Sequence, residues 1–211
     1  MNTAPAILAF ASSARINSLN KKLVQVAANG AVMAGASVTF IDLKDYPLPL
    51  YDGDIDTPDT FPANVLRLRE ILIGHQGLLI ASPEYNGSIP PLLKNLLDWT
   101  SRQPGGKPEL TPYTGKVATL MSTSPGGYGG LRGLTHVRTI LGNMGVIVLP
   151  EQLAVPKGGE AFDAAGLMPN ANQRAAVEAL GANMAQLLSR LHGLSLVPQS
   201  GERRHDFTRI R

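Results

Sequence analysis

Apolar residues along the chain alternate between two kinds of spacing. Nearly continuous apolar runs of strand length lie at 6–12, 37–43, 77–82, 116–122 and 145–155. Segments with apolar residues three and four positions apart separate them, at 18–34, 63–74, 90–101, about 130–143 and 170–192. Strands that alternate with amphipathic helices predict an α/β domain, whose parallel sheet is buried on both faces and covered by helices on both sides.

The length of the chain fits one such domain. With 211 residues, 44% of them apolar, the chain can bury a core of its own. We predict a single domain over 1–193 and a basic C-terminal tail over 194–211. In the tail, arginines stand beside Glu202 and Asp206, a mixture that favours a flexible terminus or a segment that clasps a second subunit over a nucleic-acid-binding arm.

Composition excludes several classes of protein. The chain has no cysteine, which excludes disulfides, thiolate metal sites and thiol nucleophiles. A net charge of +3 suits either an anionic ligand or a solvated surface, and the scattered aromatic residues do not interleave with basic ones as in nucleic-acid-binding proteins. The apolar runs are shorter than the ~20 residues of a membrane span, and no positively charged segment precedes the first run. We therefore expect a cytoplasmic protein that binds neither nucleic acid nor membrane.

In open parallel sheets, ligands bind beyond the carboxyl ends of the strands, where the strand order reverses. The turn after the first strand, "SSARINSLNKK", offers the side chains of Ser13, Ser18 and Asn20 at a helix start. Free N–H groups there favour a phosphate, and Lys21 and Lys22 in the first helical turn would oppose the helix dipole unless an anion were present. The alternative is an ordinary N-cap at Ser18. Because neither GxxxxGK[ST] nor GxGxxG occurs, a mononucleotide phosphate fits better than a dinucleotide.

The turn after the third strand, "SPEYNGSIPP", combines Pro83 with an Asn86-Gly87 pair that tolerates positive φ. We expect its backbone to turn sharply and to hold the polar edge of a flat ring. Glu84 is either a general base or a solvated loop carboxylate, and the second interpretation is the simpler one. Tyr85 either stacks on a ring or is an ordinary surface aromatic.

The turn after the fourth strand, "STSPGGYGGLRG", contains five glycines. It is either a mobile linker or a loop that allows a planar ligand to approach the main chain closely.

These three motifs resemble those of the NADPH-dependent FMN reductase family, which includes quinone, azo-dye and chromate reductases. "SSARINSLN" is similar to the phosphate loop of the family, "PEYNGSIPPLLKNLLDW" to its most specific signature and "SPGGYGG" to the loop after its fourth strand. The resemblance covers roughly residues 6–155.

The resemblance implies a flavodoxin-like three-layer α/β/α fold with a five-stranded parallel sheet in the order 2-1-3-4-5. It implies FMN as cofactor, NADPH or NADH as hydride donor, a small-molecule electron acceptor such as a quinone, azo dye, chromate or free flavin, and a dimer or tetramer. It assigns cofactor contacts to three groups of residues: Ser13, Arg15, Ser18, Leu19 and Asn20; Pro83, Glu84, Tyr85, Asn86 and Gly87; and Ser122, Thr123, Ser124, Gly126 and Gly127.

No catalytic residue is predicted, because a flavin performs hydride transfer itself. The GxSxG motif is absent, and the histidines at 75, 136, 192 and 205 lack the spacing of metal ligands. Three alternatives stay open: a flavodoxin-type electron carrier without substrate turnover, a flavin- or nucleotide-binding regulatory module, and a nicotinamide dehydrogenase, which the missing dinucleotide fingerprint disfavours.

Overall fold

The computed structural model describes residues 4–196 and 208–209. The main strands are β1 (Ala6–Ala11), β2 (Ser37–Asp42), β3 (Gly77–Ala81), β4 (Val117–Thr123) and β5 (Ile147–Val155). The helices are α1 (Leu19–Met33), α2 (Ala63–Ile73), α3 (Pro91–Thr100), α4 (Leu131–Asn143), the short α5 (Gly158–Ala161) and α6 (Ala171–His192). Each predicted strand and helix is therefore present, with bounds that differ by a few residues.

The five main strands are parallel and lie in the order 2-1-3-4-5, as in flavodoxin. This confirms the predicted order. A sixth strand, β6 (Thr208–Arg209), pairs in parallel with β2 and was not predicted. It falls in the tail, most of which lies outside the described residues, so the role predicted for the tail stays a prediction.

Successive residues of the central strands point to opposite faces of the sheet. Because both faces carry apolar side chains, helices cover both of them. Ile7 and Ala9 of β1 pack into a core with α1 and α6. Leu8 and Phe10 pack into a second core with α2, α3 and α4. The three-layer α/β/α architecture expected from the buried strands is thus confirmed.

The long segments between these elements include a small antiparallel ribbon, Arg102–Gln103 with Lys107–Pro108, after α3. None of the helices in the described ranges has the length and apolar character that crossing a membrane requires.

Candidate functional site

The turns after β1, β3 and β4 lie side by side at the carboxyl edge of the sheet. The Ser12 nitrogen donates a 2.9 Å hydrogen bond to the carbonyl of Ala81, and the Ser82 nitrogen donates one of 2.9 Å to the carbonyl of Met121. Each strand end is therefore fixed to its neighbour just before the chain turns away. The three segments chosen from the sequence form one continuous edge, as expected.

The turn between β1 and α1 presents several main-chain N–H groups without a partner. Ser18 caps α1, with its hydroxyl accepting from the Lys21 nitrogen. Within the described residues, the N–H groups of Ile16, Asn17, Leu19 and Asn20 donate to no protein acceptor. The two interpretations of this turn are therefore compatible: Ser18 is an N-cap, and the remaining N–H groups are available to an anion.

Lys21 does not support the anion in the way the sequence suggested. The Lys21 ammonium forms a 2.6 Å ion pair with Asp42 at the end of β2, and both side chains are largely buried. Lys22 lines the pocket beside Ile16, Asn17 and Ser18, and its Nζ lies 6.0 Å from the centre of the Phe162 ring. Asp42 compensates the charge of Lys21, so Lys21 gives no support for an anion, and the case rests on the free N–H groups and on Arg15, which is exposed.

Asn20 connects the first turn to the third. Its carboxamide nitrogen donates to the Thr123 carbonyl at 2.9 Å, and its oxygen accepts from the Thr123 nitrogen at 3.0 Å. Both polar atoms of this buried side chain are thus engaged with β4. Asn20 holds the two turns in register, and its main-chain N–H, rather than its side chain, has no acceptor among the described residues.

The turn after β3 has the conformation predicted from Asn86-Gly87. Both residues have positive φ, 53° and 79°, and Tyr85 and Ser88 exchange two main-chain hydrogen bonds of 3.0 Å across them. Two consecutive residues of positive φ define a tight type I′ turn. In the described structure, the N–H groups of Asn86 and Gly87 have no protein acceptor, while Pro83 is buried and Tyr85 is 45% exposed.

Glu84 is not the solvated carboxylate that the sequence suggested. Its side chain is 7% exposed, forms an ion pair with Arg132 and accepts a 3.1 Å hydrogen bond from the Gly133 nitrogen. Burial raises the pKa of Glu84, but the hydrogen bonds from Arg132 and Gly133 and the charge of Arg132 outweigh burial and hold it below its usual value. The carboxylate therefore stays ionised and engaged, which also argues against its use as a general base.

The glycine loop after β4 contains glycines of two kinds. At Gly129 a Cβ would lie 2.6 Å from the Val155 carbonyl carbon, and at Gly130 it would lie within 1.9 Å of Ser122 Oγ. These two glycines, both of positive φ, permit close packing within the protein. At Gly126 and Gly127 a Cβ would meet nothing closer than Ser124 Oγ at 3.9 Å. The space beside this second pair is open, as close approach of a ligand requires.

Two of the three other residues assigned to this loop, Ser122 and Thr123, are buried beneath it. Ser122 is fully buried, and its hydroxyl has no hydrogen-bond partner among the residues that the structure describes. Thr123 is also buried, and its hydroxyl donates to the Val155 carbonyl at 2.9 Å. Ser124 lies nearer the surface, and its carbonyl accepts from the Gly158 nitrogen at 2.9 Å. Ser122 and Thr123 thus shape the loop from beneath it.

A cleft of about 460 Å³ joins the second and third turns. It is lined by Glu84, Asn86, Gly87, Ser124, Gly126, Tyr128, Gly130 and Arg132. Five of these were assigned from the sequence. Tyr128, Gly130 and Arg132 were missed, although they stand within the glycine-rich motif. The Arg132 guanidinium lies 5.4 Å from the centre of the Tyr128 ring. The cleft has the size of a small-molecule site.

Over residues 4–196 and 208–209, no cluster of three or more histidine, aspartate and glutamate side chains could hold a metal ion.

Comparison with known proteins shows the family to which the chain is similar. The model of the family described as NADPH-dependent FMN reductase matches residues 5–160. An NAD(P)H-dependent FMN reductase of Pseudomonas aeruginosa is 35% identical over 161 residues, which are 76% of this chain and 82% of that protein. A quinone reductase of Escherichia coli is 42% identical over 94 residues, 44% of this chain and 47% of the enzyme.

Among solved structures, the flavoenzyme NAD(P)H:(acceptor) oxidoreductase FerB from Paracoccus denitrificans superposes with a TM-score of 0.73 at 26% identity, over 88% of this chain and 98% of that one. An azoreductase from Bacillus anthracis, 16% identical with a TM-score of 0.56, covers 88% of this chain and 99% of that one, and shares the fold.

Proposed function

The chain belongs to the NADPH-dependent FMN reductase family, and from this premise we propose that it binds FMN and passes a hydride from NADPH, or NADH, to a quinone or a similar small acceptor. Azo dyes, chromate and free flavin are further acceptors to be tested. FMN, when bound, supplies the chemistry of accepting and donating the hydride, and the protein supplies binding and orientation.

One observation carries the proposal: main-chain N–H groups without protein acceptors occur in two separate turns of the same edge. Those of Ile16, Asn17, Leu19 and Asn20 surround the start of α1, and those of Asn86 and Gly87 project from the type I′ turn. A phosphate at one end and a ring with polar edge atoms at the other would satisfy both sets. This donor pattern fits FMN, and the open space beside Gly126 and Gly127 leaves room for a flat ring.

The residues of the chain would divide the work as follows. The N–H groups of the first turn and the guanidinium of Arg15 would bind the phosphate. The N–H groups of Asn86 and Gly87 would donate to the polar edge of the ring, where negative charge develops during reduction. Glu84 and Asn20 would hold the second and first turns in position without touching the reacting atoms.

Self-association to a dimer or tetramer and a cytoplasmic location belong to the same proposal. Tyr128 and Arg132 are exposed at the cleft, Tyr85 is exposed in the neighbouring turn, and all three are available to contact either an acceptor or a second subunit. Analytical ultracentrifugation of the purified protein with FMN would determine the number of subunits.

The decisive test uses the protein purified with its natural cofactor content. Absorption bands in the blue and near ultraviolet would show a bound flavin. The mass of the released cofactor would identify it as FMN. Steady NADPH oxidation that requires a benzoquinone would then support a reductase. Bleaching of the flavin by a separate reductase, but not by NADPH alone, would instead identify an electron carrier. A protein that binds neither FMN nor another flavin would contradict the proposal.

A further inference from the structure

A second cavity, of about 310 Å³, lies between α1 and α6 and shares no lining residue with the cleft. Lys22, Val26 and Asn29, which lie on one face of α1, form the first wall of the cavity. Arg174 and Glu178 of α6 form the second wall. Residues 165–168, named the roof, line the remaining side of the cavity. The roof belongs to a segment beyond the matched family region, which ends at residue 160.

The roof is an ordered part of the protein. The Leu167 nitrogen donates to the Asp163 carboxylate at 2.9 Å, and the Gly166 nitrogen donates to the Asp163 carbonyl at 3.0 Å. Gly166 has φ +82°, which a tight turn of this kind requires. Met168 is 1% exposed and anchors the roof in the core between α1 and α6. The cavity is therefore preformed.

The charged side chains of the cavity are not neutralised by the protein. Lys22 and Arg174 both adjoin the roof: the methylenes of Lys22 run along Gly166, and Arg174 donates to the Met168 carbonyl at 2.9 Å. Glu178 lies one turn further along α6 than Arg174. Within residues 4–196, none of these three half-buried side chains forms an ion pair.

Asn29 adds a polar group to the wall of the cavity. Asn29 is 8% exposed, its side-chain nitrogen donates to Met33 Sδ at 3.7 Å, and its side-chain oxygen accepts no hydrogen bond from the described residues. Val26 and Met168 provide an apolar surface beside it. A buried amide beside unpaired charges and apolar walls is typical of small-molecule sites, in which few polar groups fix the ligand.

We propose that this cavity binds a hydroxylated aromatic carboxylate, at a site outside the cleft and not required for the proposed reductase function, although Lys22 also adjoins the turn before α1. Two cations and one carboxylate leave one net positive charge, which suits a monoanion. The carboxylate of the ligand lies against Lys22 and Arg174 beside the roof, its ring lies on Val26 and Met168, and its hydroxyl donates to Glu178. The volume accommodates one substituted ring.

The test uses 4-hydroxybenzoate with the FMN-loaded protein, in isothermal titration calorimetry. Saturable binding with one site per chain is expected, and Lys22→Met and Arg174→Met should each weaken it about tenfold or more, since each removes a charge-assisted contact. Arg190→Met serves as the matched control, because Arg190 is an exposed arginine of the same helix and its loss should leave affinity unchanged. Benzoate, which lacks the hydroxyl, should bind more weakly, and Glu178→Leu should remove that difference.

Three results would overturn the proposal: no saturable binding to the wild-type protein, equal binding of the uncharged 4-hydroxybenzamide, or displacement of 4-hydroxybenzoate by added NADPH, which would place the ligand in the cleft. Circular dichroism of each variant establishes that it is folded. If Lys22→Met were unfolded, Lys22→Gln and the conservative Arg174→Lys would take its place, the latter with an expected intermediate affinity. Because calorimetry does not depend on turnover, failure here would leave the reductase proposal standing, and failure of the reductase assay would leave this one standing.

Discussion

Glu84 and Gly133 are joined by a 3.1 Å hydrogen bond from the Gly133 nitrogen to the Glu84 carboxylate, although 49 residues separate them in sequence. Gly133 lies in the first turn of α4, where Gly130 offers no side chain to cap the helix. Glu84 therefore caps α4 from another part of the chain and, with the exposed Arg132, holds the turn after β3 against that helix.

Replacement of Glu84 with alanine should destabilise the protein by about 1–3 kcal/mol, because the Gly133 N–H then loses its acceptor. Urea unfolding at neutral pH measures this change. The cofactor should also dissociate more readily, since the Asn86-Gly87 turn is no longer fixed. Arg132→Ala is the matched control: it removes the more exposed partner and should cost clearly less stability. Equal losses in the two variants would show that the ion pair, and not the cap, is the important contact.

The turn itself can be tested at Gly87, for which the chain offers a closely matched control. Gly87 and Gly115 have φ of +79° and +78°, and a Cβ at either position would meet no protein atom within 4 Å. Alanine at either site should cost about 1–2 kcal/mol of stability through its unfavourable backbone conformation. Only Gly87→Ala should also weaken FMN retention, as measured by equilibrium dialysis. Equal FMN affinity in the two variants would mean that the 83–87 turn does not contact the ring.

Arg15 provides the test of the phosphate end. Arg15→Ala should weaken FMN binding about tenfold, a moderate loss for a charged contact because the side chain is exposed. Arg15→Lys keeps the charge without the bidentate fork and should lie between the two. Riboflavin, which lacks the phosphate, should bind equally to the wild-type protein and to Arg15→Ala. If Arg15→Ala weakened riboflavin and FMN alike, Arg15 would not contact the phosphate.

The fold could be predicted from the sequence because its signals are local. The two spacings of apolar residues define the strands and helices, and the Asn86-Gly87 pair by itself favours positive φ. The partners of Asn20 and Glu84 could not be predicted, because Thr123 lies 103 residues from Asn20 and Gly133 lies 49 residues from Glu84. Side chains of the same type could equally bind a ligand, and only the packed structure distinguishes the two roles. The ion pair of Lys21 with Asp42 was missed for the same reason.

The packing role of two glycines inside helices could not be recognised in the sequence. A glycine in a helical pattern usually just lowers the stability of the helix. In the structure, a Cβ at Gly181 would lie 1.8 Å from the Ala27 carbonyl oxygen, and one at Gly30 would lie 2.0 Å from that of Glu178. The backbones of α1 and α6 thus touch. Gly181→Ala should destabilise the protein by about 3 kcal/mol, because neither backbone can move easily.

The matched control for Gly181→Ala is Gly142→Ala in α4, where a Cβ would meet nothing within 4 Å. That change should stabilise the protein by about 0.5–1 kcal/mol, through the better helix propensity of alanine. Thermal unfolding of both variants measures the opposite signs. A Gly181→Ala variant as stable as the wild type would show that α1 and α6 do not pack as closely as described.

The imidazole of His75 should make the free energy of unfolding depend on pH. Its Nδ1 lies 2.6 Å from the Ile71 carbonyl, which can only accept, and its Nε2 lies 2.8 Å from the Thr39 hydroxyl. Burial lowers the pKa of His75 below its usual 6.5, the charge of Lys116 lowers it further, and the Ile71 bond opposes them only in part. As the pH falls, the unfolded chain therefore binds a proton at this histidine before the folded protein does. Above about pH 7, His75 does not lower the free energy of unfolding. As the pH falls below 6.5, it lowers the free energy of unfolding progressively. Urea midpoints between pH 7.5 and 5 should fall more steeply for the wild type than for His75→Gln, and parallel curves would show that His75 does not titrate differently on folding.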